Sequence, residues 1–280
     1  METCFLAMRL LRKSMRKFII FLLVELCFMG LNAQALRLLP QGHAHNDYKH
    51  ARPLSAALEA GYTSLEIDVY SKKGVLRVAH WPLLLANQPR LGPLYLAPLR
   101  ARIAENGGTV FPGDSTQLVL MIDLKRDVPG LYTLLRAEFS AYLDLIETHS
   151  RGQVRWGPLK VVLSGGPPLD SLLAQEVRYF SADGNPSQWA RAYSPELMPR
   201  GSTNFRSHFK WRGKGKMPLA EQQKLAKMVA KAHLHQRKIR FWATPDSPAV
   251  WKALLDAGVD WINVDDLENF RKFYLQYTFL

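Results

Sequence analysis

Two carboxylates stand at alternate positions in Ser64-Leu65-Glu66-Ile67-Asp68-Val69-Tyr70, a run otherwise dominated by apolar residues. On a strand, residues two apart project from one face. An inward face that carries two carboxylates needs a compensating charge, and a divalent cation with oxygen ligands, Mg²⁺ or Ca²⁺, supplies it. The bland alternative is an exposed polar edge strand. A second apolar run, Leu118 to Ile122, leads into Asp123-Leu124-Lys125. Here a third carboxylate and an ammonium group share one face. Asp123 can complete the metal's oxygen ligands while Lys125 holds an anionic oxygen of a substrate; alternatively the two merely neutralise each other.

Histidine adds groups that exchange protons near neutral pH. His80 closes the short apolar run 75–79, and Gly42-His43-Ala44-His45-Asn46-Asp47-Tyr48 holds two histidines in seven residues. A strand continuing through both would point His43 and His45 inward together, with Asn46 and Asp47 capping the turn that follows. His43-x-His45 at the end of a first barrel strand also fits the start of a zinc amidohydrolase site. That chemistry needs further histidine ligands at later strand ends, whereas His149, His208, His233 and His235 fall in expected helices or loops.

These residues require a scaffold that gathers the ends of several strands. From residue 36 onward the chain alternates short apolar runs with helical ones, the pattern of a parallel sheet wrapped by helices. Strands are expected at 36–45, 64–70, 118–124, 159–164, 239–243 and 261–264, with weaker signals at 177–182 and 202–209. That is about eight, the number a closed TIM (β/α)8 barrel requires. Helices are expected at 53–60, 129–148, 218–236 and 248–257. Each opens on proline, which suits a first helical turn, and Gly61 and Gly258 suit helix stops. No repeat or long linker divides the chain, so a single α/β domain is expected. The stretch 185–216, rich in Pro, Gly, Arg, Lys and aromatics, is expected as a long loop near the active face. Its composition also suits single-stranded nucleic acid, but no base-reading motif accompanies it and no nucleic-acid partner is expected.

Residues 1–35 are set apart from the fold. From Met15 they have a basic start, an apolar stretch over 18–29 and a small-residue end at Ala33-Gln34-Ala35. This is the form of a secretory signal cleaved after Ala35, with the residues before Met15 either lengthening the basic region or reflecting an upstream start codon. The apolar stretch is shorter than the roughly 20 residues of a membrane span and contains Glu25, so no stable span is expected after cleavage. A lipid anchor on Cys27 lacks the small residue expected before it. A secreted or periplasmic protein is expected. Cys4 and Cys27 would both leave with the signal, excluding disulfide and thiol chemistry. The remaining 32 basic and 22 acidic residues give a balance of +10. It favours an anionic partner such as a phosphate ester or anionic lipid, although surface charge also serves solubility. Nothing in the sequence fixes an oligomeric state.

The order His43, Glu66-x-Asp68, His80, Asp123-x-Lys125 resembles the active-site pattern of the PI-PLC-like phosphodiesterases, a TIM-barrel superfamily that includes glycerophosphodiester phosphodiesterases and sphingomyelinase D. The runs His43 to Tyr48, Pro53 to Val69 and Leu94 to Leu99 are most similar to the branch typified by fungal altered inheritance of mitochondria protein 6. Residues 241–270 resemble the last two βα units of the superfamily. The resemblance implies a divalent cation, Mg²⁺ or Ca²⁺, held by Glu66, Asp68 and Asp123. It implies His43 and His80 as the acid/base pair, with His45 as a neighbour that orients His43 or touches phosphate, and Asn46 near the substrate. Lys125 is placed near the phosphate, and Trp242 matches an active-site tryptophan able to stack on a sugar or a choline-like cation. Three departures stand out: no His-Arg-Gly with a following Pro-Glu-Asn-Thr, Trp81 after the second histidine instead of Asp, and Asp instead of Glu as the third acid. The expected activity is cleavage of a phosphodiester, of a lipid headgroup or glycerophosphodiester type; the non-catalytic alternative is a secreted barrel that binds lipid headgroups or glycans.

Overall fold

The computed structural model describes residues 36–189 and 193–278. The expected export signal, with both cysteines, lies outside the described residues. Leu38–Leu280 forms one compact unit. Among the described residues, eight parallel strands build its barrel: β1 (Leu39–Ala44), β2 (Tyr62–Lys72), β3 (Leu118–Leu124), β4 (Leu159–Ser164), β5 (Phe180–Gly184), β6 (Arg200–Asn204), β7 (Lys238–Trp242) and β8 (Trp261–Val264). Each pairs in parallel with the next, and β8 returns to β1 to close the barrel. Among the described residues no helix is long and apolar enough to cross a membrane.

The helices are α1 (Ser55–Glu59), α2 (Ala97–Glu105), α3 (Val128–Phe139), α4 (Leu169–Leu173), α5 (Phe205–His208), α6 (Leu219–Leu234), α7 (Pro248–Asp256) and α8 (Leu267–Tyr277). On β2, Leu65, Ile67 and Val69 are fully buried on the face away from the barrel axis. Each such side chain contributes about 1.5–3 kcal/mol by leaving water. Burial on both faces, rather than on one, is what a parallel strand wrapped by helices requires, and it rules out the exposed-edge alternative for Glu66 and Asp68.

Register delivers the site. Asp68 sits beside Asp123, and Asp123 beside Ser164, across three adjacent strands. The loops above these strand ends hold several non-glycine residues in left-handed backbone: Asn46 after β1, Arg126 and Asp127 after β3, Ala243 after β7. Such strain, costing on the order of 1–3 kcal/mol per residue, clusters where chain direction serves a site. Gly165 after β4 shows why glycine is needed there: at φ 75° a Cβ would run into the Leu124 backbone carbonyl.

Several expected boundaries move. β1 ends at Ala44, so His45 lies past the strand rather than within it. The helix expected over 129–148 stops at Phe139, because Leu145 and Ile146 turn back into the core and Ile146 bridges to Leu159. Thr148–Ser150 then pairs with Gln153–Arg155 and Val177–Arg178 in a small antiparallel sheet. The strand signals at 177–182 and 202–209 resolve into β5 and β6. β6 ends where the Asn204 side chain accepts a hydrogen bond from the Arg206 backbone N–H at 2.8 Å and starts α5. The stretch expected as one long loop therefore contains β6 and α5, and its Trp189 is a buried residue packed under Gly201.

Candidate active site

At the C-terminal ends of the strands a cavity of about 630 Å³ is lined by His45, Asn46, Glu66, Asp68, His80, Asp123, Lys125, Arg240 and Trp242, among others. This is the end at which parallel barrels assemble catalytic groups. Eight of the nine residues expected from the sequence therefore meet in one place. The ninth, His43, is fully buried and does not line the cavity. Its Nδ1 lies 2.7 Å from Ser64 Oγ and its Nε2 3.3 Å from Glu66 Oε2. Burial, reinforced by the Arg240 guanidinium, pulls its pKa well below the usual value, so the ring stays neutral. The geometry makes His43 a prop beneath Glu66 rather than a group that touches substrate.

His45 instead faces the cavity. Its Nδ1 lies 2.7 Å from Asp265 Oδ1, and Asn46 Nδ2 approaches its Nε2 at 3.0 Å. A carboxylate only accepts, so Nδ1 carries a hydrogen toward Asp265, and in the neutral ring the Nε2 lone pair accepts from Asn46 Nδ2. On the opposite side, His80 Nδ1 lies 3.1 Å from Asp68 Oδ2. The Tyr48 hydroxyl sits between the two halves, 2.9 Å from Asn46 Oδ1, 2.8 Å from Asp68 Oδ2 and 3.2 Å from His80 Nδ1. Burial and the adjacent Asp68 push the Tyr48 pKa far up, so it remains a neutral donor.

The three acids occupy distinct electrostatic settings. Burial alone would raise the Glu66 pKa, but Arg240, whose Nη2 donates to Oε2, and the His43 hydrogen bond hold it well below the usual carboxylate range. Asp68 is raised by burial and by Glu66 and Asp123, with Lys125 opposing. Lys125 pairs with Asp68 at 3.1 Å and with Asp123 more closely still, while Ser164 Oγ donates to Asp123 Oδ1 at 2.6 Å. Burial would lower the Lys125 pKa, but the two carboxylates hold it well above its ordinary value, so it is a fixed cation.

Oxygens of Glu66, Asp68 and Asp123 lie within 4.8 Å of one another, and Asp68 Oδ1 is buried without a hydrogen-bond partner. A cluster of carboxylate oxygens, one of them unsatisfied, fits a hard divalent cation rather than a thiolate- or imidazole-seeking metal. The zinc amidohydrolase pattern finds no such support. His149, His208 and His233 are paired elsewhere, to Glu147, Thr203 and Asp260 at 3.0, 2.9 and 3.0 Å.

Sequence reasoning missed Asp265, Tyr48 and the buried ionic groups at the floor of the cavity. Arg240 contacts Glu66 and Asn263, and lies 4.0 Å from Asp183, which faces the fully buried Arg200 at 3.6 Å. The signal for Arg240 was present: a charge inside the apolar run Ile239-Arg240-Phe241, two residues before Trp242 and thus on its face. No comparable pattern marks Asp265, which reaches His45 only through barrel closure.

The chain matches the AIM6-like phosphodiesterase domain over residues 37–181 and the glycerophosphoryl diester phosphodiesterase family over residues 238–268. It is 29% identical to altered inheritance of mitochondria protein 6 of Eremothecium gossypii, covering 89% of this chain and 74% of that protein. Its identity to the homologue from Arthroderma benhamiae is 26%, over 83% of each. In fold it is similar to a glycerophosphodiester phosphodiesterase from Parabacteroides distasonis, with TM-score 0.52 and 16% identity over 85% of this chain and 98% of that one. An Oleispira antarctica phosphodiesterase, solved with the product sn-glycerol-3-phosphate, gives TM-score 0.51 and 14% identity over 84% and 97%. Family match and barrel together define a phosphoric diester hydrolase of the PI-PLC-like superfamily. The chain belongs to its AIM6-like phosphodiesterase family.

Proposed function

We propose that this protein cleaves a small or lipid-borne phosphodiester in a divalent-cation-dependent reaction, with His45 and His80 as the acid/base pair. The observation that carries the proposal is the convergence on one cavity of three carboxylates, one with an unsatisfied buried oxygen, and two histidines. Glu66, Asp68 and Asp123 would hold Mg²⁺ or Ca²⁺, which when bound supplies Lewis-acid stabilisation of charge on the phosphoryl oxygens.

His45 Nε2, its lone pair set by the Asp265 contact and turned from Asn46 Nδ2 to the incoming group, takes the proton of the attacking hydroxyl, from water or from the substrate itself. The attacking oxygen bonds to phosphorus as the phosphorus–oxygen bond to the leaving alcohol breaks, and His80, acting in its protonated form, gives a proton to that oxygen. Its Nδ1 side is tied to Asp68, leaving Nε2 for the exchange. Lys125, held charged, offsets negative charge growing on the phosphoryl group. Tyr48 keeps Asn46, Asp68 and His80 in one frame. Trp242, exposed at the rim, offers a face to the departing group.

Turnover of a panel of aryl, glycero- and lipid phosphodiesters, with metal removed by chelation and restored one ion at a time, tests the proposal. Activity that returns with Mg²⁺ or Ca²⁺ supports it; activity restored by zinc alone, or indifferent to chelation, overturns it. The signal-like segment at residues 1–35 supports export, which the N-terminal sequence of protein recovered outside the cytoplasm would check.

A further inference from the structure

His80 is followed immediately by the segment that places the most apolar side chains in solvent. Among the described residues, ten large hydrophobics are exposed, and three of them, Trp81, Leu83 and Leu84, fall within four positions. Their exposures are 70%, 72% and 66%. Isolated exposed hydrophobic side chains need no explanation, but three within four positions at the edge of a cavity do.

The backbone is built to hold them out. Segment 79–89 leaves the barrel beside Asp68, where the Ala79 N–H donates to the Asp68 carbonyl at 3.2 Å. It returns where the Val78 N–H donates to the Pro89 carbonyl at 2.9 Å, and Arg77 closes the base by donating to the Gln88 carbonyl at 2.7 Å. At the tip Leu84 has φ 51°, a left-handed conformation that an L side chain avoids. Nothing in the packing repays this, since Leu84 is exposed. Trp81 stands edge-on against the His80 ring, with centroids 4.7 Å apart and planes at 81°, so the tip abuts a residue of the cavity.

Charge around the tip is one-sided. From Ser71 to Arg90 the chain carries Lys72, Lys73, Arg77 and Arg90 and no Asp or Glu. Lys72, Lys73 and Arg90 are exposed. Aromatic and leucine side chains flanked by cations match an anionic lipid surface, whose acyl boundary takes the apolar groups and whose headgroups take the charges. A soluble acidic protein would reward the cations but leave Leu83 and Leu84 unexplained.

We propose that the Trp81–Leu84 tip inserts into an anionic lipid surface and that the cavity beside it takes its phosphodiester from that surface. Only the second clause rests on the phosphodiesterase function; insertion is independent of turnover.

The test uses the full chain with vesicles of phosphatidylcholine and phosphatidylglycerol containing bromine-labelled acyl chains, which quench tryptophan on contact. All seven tryptophans lie at or beyond residue 81, so an N-terminal apolar segment cannot contribute to the signal. Quenching of the wild type that is largely lost in Trp81→Phe and in Leu83→Ser/Leu84→Ser, and weakened without phosphatidylglycerol, is the expected result. Quenching that persists in both variants, or that the wild type does not show, overturns the proposal and leaves a protein partner as the occupant of the tip. The Leu83→Ser/Leu84→Ser variant should also lose about tenfold or more of the turnover of vesicle lipid while keeping its rate on a soluble aryl phosphodiester. Absence of wild-type turnover on both substrates would count against the catalytic proposal, while quenching still decides insertion.

Discussion

His45 Nδ1 and Asp265 Oδ1, 220 residues apart in sequence, lie 2.7 Å apart across the seam where β8 meets β1. The contact fixes which nitrogen of His45 faces the cavity. The turn carrying Asp265 is itself held: Asp246 Oδ2 accepts from the Asp265 and Asp266 backbone N–H groups at 3.0 and 2.7 Å, and its Oδ1 accepts from Trp251 Nε1 at 2.8 Å. The hydrogen bond to His45 lowers the Asp265 pKa, so the partner is an anion at neutral pH.

The two histidines of His43-x-His45 should consequently respond differently to replacement. His45→Ala should reduce turnover about a hundredfold or more, the usual loss of a general acid or base, with little change in thermal stability. His43→Ala leaves the Ser64 hydroxyl and one face of Glu66 without their partner in a dry site, so it should cost about 1–3 kcal/mol of stability and affect turnover less. Thermal melts beside steady-state rates separate them; equal loss of turnover with unchanged stability in both variants would contradict the assignment.

The three-carboxylate cluster should make stability respond to metal. Asp68 bears the repulsion of Glu66 and Asp123 and has a buried oxygen without a partner. Mg²⁺ or Ca²⁺ should raise the melting temperature saturably, since an ion that binds only the folded chain stabilises it by mass action. Asp68→Asn should abolish the metal-dependent increment. A rise equal in size and affinity in the variant would place the ion elsewhere.

Much of this site was legible because strands carry their pattern in sequence. Glu66, Asp68, Asp123 and Lys125 are each a charge at a fixed offset in an apolar run, and alternation alone placed them on the inner face. β3, β4 and β8 likewise have the expected bounds, since a strand buried on both faces reads as a mostly apolar run. The register of His43 against His45 was not legible, because it depends on β1 stopping at Ala44, and that follows from pairing with β8, over 200 residues away. α8 was hidden for another reason: its aromatics favour strands, yet Leu267, Phe270 and Tyr274 form one buried helical face.

At the floor of the cavity, Arg240 should be worth more to stability than any single surface pair. Its guanidinium serves Glu66 and Asn263 and faces Asp183, all buried. Arg240→Met keeps the volume but leaves buried carboxylate charge uncompensated, which should cost about 3–5 kcal/mol. Adding Glu66→Gln should recover part of that loss, because it removes one of the stranded charges. Chemical denaturation of the single and double variants measures the coupling; strictly additive losses would show that the two residues do not share an energy term.

At the opposite end of the barrel, charge serves the fold rather than the reaction. Glu147 accepts from Gln117 at 2.9 Å and pairs with His149 and Lys160 at 3.0 and 2.7 Å. Burial would raise its pKa, but these three partners outweigh it and bring the carboxyl from 4.5 down to about 2. A carboxylate whose pKa falls on folding adds stability in full above its unfolded value and loses it as pH drops toward the folded one. The window here runs from about pH 4.5 down to about 2. Glu147→Gln should therefore cost about 1–3 kcal/mol at neutral pH, toward the lower figure because water partly screens the site. The gap to wild type should close through that window, with the wild type losing the difference. Urea unfolding of both proteins as the buffer is acidified follows it, and a gap that stays constant or widens on acidification would show that Glu147 is not held as an anion by these partners.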